Sequence, residues 1–117
     1  MNIQYKTGKL QRDCTEYRRA RKEFGEEVAK RLHKAVNFIE QAESLMDVRK
    51  FTPFHFHALT QNLKGLCAID LGRKLGFRLL VRPLEADGSA ATNERIFSSN
   101  AIEIINIEFE EVSNHYE

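Results

Sequence analysis

No stretch of this 117-residue sequence comes near the roughly 18–20 consecutive apolar residues of a membrane-spanning helix, so a membrane protein of that kind is not expected. The first residues, Met-Asn-Ile-Gln-Tyr-Lys, lack the charged start, apolar run and small-residue cleavage site of a secretory signal, which makes the cytoplasm the expected compartment. Cysteine is scarce. Cys14 and Cys67 allow at most one disulfide, and two isolated cysteines in such a chain are expected to be small buried side chains. A strong net charge is also missing, since the formal total is +1, which taken alone excludes a strongly basic nucleic-acid binder.

That total hides a division. Residues 1–50 hold 12 Lys and Arg against 8 acids, residues 51–83 hold 5 against 1, and residues 84–117 hold 1 against 8. The body is basic and the tail acidic. With 42% hydrophobic and 30% charged residues, the composition is that of a globular protein. The length fits a single domain spanning residues 1–117.

The most informative stretch is Phe77 to Pro83, Phe-Arg-Leu-Leu-Val-Arg-Pro. Read as a strand, it directs Phe77, Leu79 and Val81 into a core and Arg78, Leu80 and Arg82 to the other face. The two arginines then lie about 13 Å apart along the strand, the span of about two nucleotides of extended RNA. A phosphate backbone is one partner for such a pair; the alternative is that one or both arginines snorkel at a sheet edge or pair with a nearby Glu.

Around this strand the remaining elements take their places. Ile3 and Tyr5 alternate with polar residues in a short first strand over Asn2 to Lys6. Leu10, Cys14, Tyr17, Arg21 and Phe24 recur with helical period, and Asp13 with Glu16 has the form of a capping box, so a helix is predicted from about Thr15 to Phe24. Gly25 interrupts it. From Glu26 and Glu27 a second helix of about 20 residues is predicted to the neighbourhood of Asp47, with Val28, Leu32, Ala35, Val36, Ile39, Ala42, Leu45 and Met46 on its apolar face. Arg49 to Gly65 reads as a loop crowded with Phe51, Phe54, His55, Phe56 and His57. His55 and His57 have a two-residue spacing seen in some metal sites, but without a third ligand or Cys pair nearby a packed or capping role is expected and no metal.

A strand over Leu66 to Leu71, a glycine-flanked connection at Gly72 to Gly76, and the arginine strand form an expected antiparallel hairpin. Leu84 to Asn100 has no period and reads as a long mobile loop. Ile102 to Phe109 is the predicted last strand, covered on both faces. The fold class is therefore α+β, an N-terminal helical hairpin packed on a small antiparallel β-sheet.

The order strand, two helices, strands is joined by several motifs. They are the Ala-Glu-Ser-Leu end of the basic helix, the His-Ala-Leu…Leu-Lys-Gly run at His57 to Gly65, the Phe-Arg-Leu-Leu-Val-Arg strand, and the terminal His115-Tyr116. Together they resemble the RelE/ParE toxin superfamily, and within it the HigB-like plasmid maintenance killer proteins. The resemblance implies a toxin of a type II toxin–antitoxin module that acts as a metal-independent, ribosome-dependent mRNA endoribonuclease. It implies no cofactor, with a cognate helix-turn-helix antitoxin, the ribosome and mRNA as partners. It also implies that His57, Arg78, His115 and Tyr116 occupy the positions that carry chemistry. The chemistry itself needs cations on the flanking phosphates, and Lys64, Arg82, Arg73 and Lys74 are the expected RNA-binding residues. Where such toxins often end in Asp-Tyr-His, this chain has Asn114-His115-Tyr116, with the last two residue types exchanged. Two other functions remain open for the same scaffold: a non-catalytic toxin that binds a protein target such as DNA gyrase, and a non-toxic fold relative.

RNA supplies its own nucleophile in the 2′-hydroxyl. Cleavage then needs a base for that proton, an acid for the departing 5′-oxygen, and cations for the phosphorane charge. His57 or His115 suits the proton transfers and Arg78 the charge.

Overall fold

The computed structural model describes residues 1–60 and 65–114, with the side chain of Arg73 left aside. The chain is α+β. Strand β1 (Asn2–Tyr5) leads to helices α1 (Gly8–Thr15), α2 (Tyr17–Phe24), α3 (Glu26–Gln41) and α4 (Leu45–Lys50). Strands β2 (His57–Ala58), β3 (Cys67–Asp70) and β4 (Arg78–Leu84) follow, then a short helix α5 (Asn93–Ile96) and strand β5 (Asn106–Ser113).

The first helix begins earlier than the apolar spacing predicts. Thr7 is its N-cap, its Oγ1 accepting from the Leu10 N–H at 3.1 Å, an interaction worth about 1 kcal/mol. Asp13 is no cap: it lies inside α1, 2% exposed, with its carboxylate 3.0 Å from Lys9 Nζ and 3.8 Å from Arg19 Nε. Thr15 donates its hydroxyl back to the Gln11 carbonyl at 2.8 Å, and Glu16 turns extended, so the expected single helix is divided into α1 and α2. The second predicted helix likewise stops early. Ala42 is extended and Ser44 starts α4 by accepting from the Met46 N–H, while Asp47 accepts from the Glu43 N–H. Leu45 and Val48 still reach the core, which is why the apolar period runs unbroken through a chain that bends. In place of a two-helix hairpin there are three successive helices, α1–α3, and a fourth behind them.

The sheet order is β1-β5-β4-β3-β2. It is mixed rather than antiparallel: β1 pairs parallel to β5, Ile3 beside Ile107 and Tyr5 beside Phe109, while the other pairings are antiparallel. One face meets the helices through Leu79, Val81, Ile69, Cys67, Ile107 and Phe109, in one core with Leu32, Ile39 and Leu45. Phe77 packs against the same core, edge-on to Phe24. The opposite face carries a smaller apolar floor of Leu66, Ala68 and Leu80. The alternation predicted for the arginine strand is therefore the one observed.

The segment after β4 holds more structure than a loop. Arg95 grips the Glu85 carboxylate with two bonds of 2.8 and 3.0 Å and reaches Glu103 at 2.9 Å. Arg49 donates to the Ile96 and Ser98 carbonyls. These contacts set α5 and the 3-10 turn Ser99–Glu103 against the body, burying Ile96, Ala101 and Ile104. Ile102 and Ile105 are left 66% and 46% exposed, so the last strand begins at Asn106, and two residues predicted to be covered are not. Among the described residues no helix is long and apolar enough to cross a membrane.

Candidate functional site

Register places the candidate residues. Arg78 lies between Asp70 of β3 and Ser113 of β5, and Leu80 lies between Ala68 and Glu111. Ala68 is in turn paired with His57 of β2. His57, Arg78 and Arg82 thus share the sheet face away from the helices. His57 and Arg78 are two strands and one side-chain repeat apart, about 12 Å between Cα atoms, close enough for both side chains to reach one phosphate.

The local backbone orients His57. His55 follows the 3-10 turn Thr52–Phe54 with φ 47° and ψ 45°, the one left-handed non-glycine residue among those described. Its carbonyl is thereby turned to the His57 ring, 2.8 Å from Nδ1. A carbonyl can only accept, so Nδ1 carries the proton and the neutral ring keeps its lone pair on Nε2. His57 is half-buried, and its ring centroid lies 5.4 Å from that of His55.

Arg78 is half-buried, and its Nε is enclosed with no hydrogen-bond partner among the described residues. An enclosed guanidinium nitrogen without a partner is costly unless an acceptor arrives. Arg82 is differently placed. Its Nη2 lies 3.9 Å from Glu110 Oε1, the pairing with a nearby Glu that the sequence left open. Glu110 is the extra residue of a β-bulge, where Leu80 faces Glu111 and Val81 faces Phe109. The same oxygen lies 3.3 Å from Lys6 Nζ. Gly65, with φ +77°, approaches the arginine so closely that a Cβ would stand 3.3 Å from Arg82 Nη1.

Glu108 is paired with Arg82 in register and lies close enough to Glu110 for each carboxyl to shift the other, and Glu110 Oε2 is enclosed with no hydrogen-bond partner among the described residues. The hydrogen bond to Glu110, then burial, then the Glu110 charge push the Glu108 carboxyl above the usual carboxylate range. For Glu110, burial pushes the other way, but the bonds from Glu108 and Lys6 and the charges of Lys6 and Arg82 hold it below that range. Neither acid was singled out from the sequence. The signal available was the acidic tail itself, which the fold lays beside the arginine strand.

Lys74 lines a cavity at the end of the β3–β4 connection with His55, Arg31 and Asp70. Arg73 lies in the 3-10 turn Arg73–Leu75. Lys64, His115 and Tyr116 lie outside the described residues. Among the described residues no group of three or more His, Cys, Asp or Glu side chains is arranged to hold a metal ion. Both cysteines are free and buried, and burial pushes each thiol up to about 12.

Comparison with models of known protein families, with curated proteins and with solved structures gives no match.

Proposed function

We propose that this chain is a toxin of a type II toxin–antitoxin module with a RelE/ParE-like scaffold, and that it cuts mRNA on the ribosome. One observation carries the reading. His57, with its lone pair on Nε2, shares a sheet face with Arg78, whose enclosed Nε has no partner among the described residues.

In this reading Nε2 of His57 removes the 2′-hydroxyl proton. The 2′-oxygen attacks the adjacent phosphorus, and Arg78 binds the phosphorane oxygens as charge develops. The departing 5′-oxygen takes a proton from His115 or Tyr116, positions that the resemblance implies carry chemistry. Lys64, Arg73 and Lys74 hold flanking phosphates, and Arg82 does so once RNA draws it from Glu110. The antitoxin would cover this face.

Induced expression with mapping of transcript ends tests the proposal: growth should stop and new 5′ ends should appear within translated messages. A second reading, a non-catalytic toxin that binds a protein such as gyrase, is favoured by the carboxylates of Glu108, opposite Arg82 in register, and of Glu110, against Arg82, which weaken the face's pull on a polyanion. Growth arrest without new ends would select it. Unimpaired growth at high expression would remove both.

A further inference from the structure

A second feature lies away from the arginine face. Phe38 of α3 and Phe51, which follows α4, are stacked, with centroids 4.3 Å apart and planes at 27°, and Phe54 meets both edge-on. Phe51 nevertheless stays 37% exposed. The stacked pair forms a wall between two cavities. One, of about 450 Å³, includes Lys50 in its lining; the other, of about 300 Å³, includes Arg31 and Lys34. A third, of about 390 Å³, shares Arg31 with the second and adds His55 and Lys74. The three adjoin through shared side chains, first Phe38 and Phe51 and then Arg31, and the trough they make together reaches His55, whose carbonyl holds the proposed base.

Its chemistry is that of an anionic, aromatic ligand. Three carboxylates face these cations: Asp47 lines the first cavity with Lys50 and accepts from the Glu43 N–H, Asp70 lines the other two, and Glu27 lies 4.0 Å from Arg31. Arg31, Lys34, Lys50 and Lys74 outnumber them by one. Cation, ring wall and cation follow one another as phosphate, base and phosphate do along a nucleotide strand, and a base is flat enough to add a third layer to the Phe38–Phe51 stack. An acidic peptide matches the charge but has no regular alternation of ring and anion.

We propose that this trough is a subsite for single-stranded RNA, with a base stacked on Phe51 and its flanking phosphates on Lys34 and Lys50. It rests on the reading above only in taking RNA as the ligand. The subsite would lead the strand to or from His57 and prefers no sequence strongly, because every base offers a π face.

The test uses purified protein and a fluorescein-labelled 2′-O-methyl decanucleotide, which cannot be cut, so binding is separated from cleavage. Phe51→Leu keeps the apolar bulk and removes the ring; it should raise the Kd about ten-fold or more, while Phe51→Trp stays near wild type. Lys34→Ala with Lys50→Ala should flatten the logarithmic salt dependence by roughly 0.7 for each lysine removed. Circular dichroism checks that each variant is folded. Unchanged affinity and salt slope in folded Phe51→Leu and in the double lysine variant would overturn the subsite, even if wild-type protein cuts RNA. Tight binding of an acidic phenylalanine-containing peptide, with no binding of the RNA probe, would also overturn it, in favour of a protein partner. Binding through Phe51 by a protein that cuts no RNA would support the subsite and sink the cleavage reading alone.

Discussion

The backbone of His55, rather than its side chain, should control the proposed base, and the two can be separated by substitution. Its φ and ψ of 47° and 45° lie in the left-handed region, which costs an ordinary L-residue about 1–2 kcal/mol. Glycine carries no such penalty, so His55→Gly keeps the turn and removes the imidazole. Relief of strain and the greater freedom of unfolded glycine offset each other, leaving stability within about 1 kcal/mol of wild type. A β-branched residue is least tolerant of this conformation, and His55→Val should rebuild the turn and withdraw the carbonyl from His57 Nδ1. The lost hydrogen bond is worth about 1 kcal/mol, enough to slow a step that depends on it about five-fold. Nitrogen-15 shifts of the His57 ring, read with the pH dependence of cleavage, provide the assay. Wild type and His55→Gly should show the proton on Nδ1 and equal rates. His55→Val should show mixed tautomers and the slower rate. A wild-type ring protonated on Nε2 when neutral, or a valine variant unchanged in tautomer and rate, would show that the His55 carbonyl does not set the His57 tautomer.

Three other outcomes follow from the same geometry. Gly65→Ala places a Cβ at φ +77° and 3.3 Å from Arg82 Nη1; it should lower stability by about 1–2 kcal/mol, read by denaturant titration. The raised Glu108 carboxyl stabilises the fold while it holds its proton, so that contribution is complete below the ordinary glutamate pKa and disappears as pH rises through the raised one. Glu110, held low, contributes in the opposite sense and loses its share as pH falls through its own pKa; melting curves of Glu108→Gln should therefore lack the first loss and keep the second. Cys14 and Cys67, with thiols pushed up to about 12 by burial, should resist alkylation at pH 8 in folded protein and react at once in denaturant.

What could be read from the sequence was local. Alternation along Phe77 to Pro83 placed Leu79 and Val81 inward and both arginines outward, because a strand's period is a property of its own residues. The α3 core residues were legible for the same reason. Competing local signals misled where two were present: Asp13 with Glu16 imitates a capping box, yet Thr7 caps the helix and Asp13 is buried beneath the exposed side chains of Lys9 and Arg19. Ser44 and Asp47 carried the restart of α4 inside an unbroken apolar period. Pairing across long separations was not legible at all. The parallel seat of β1 on β5, the bulge that turns Glu110 to Arg82, and the left-handed His55 each depend on what the chain meets on folding.

If Arg78 acts on transition-state charge, Arg78→Ala should cut a translated message on ribosomes more slowly than wild type by roughly two to three orders of magnitude, with ribosome affinity, measured alongside, much less affected. Undiminished cleavage by a folded Arg78→Ala variant would contradict that role.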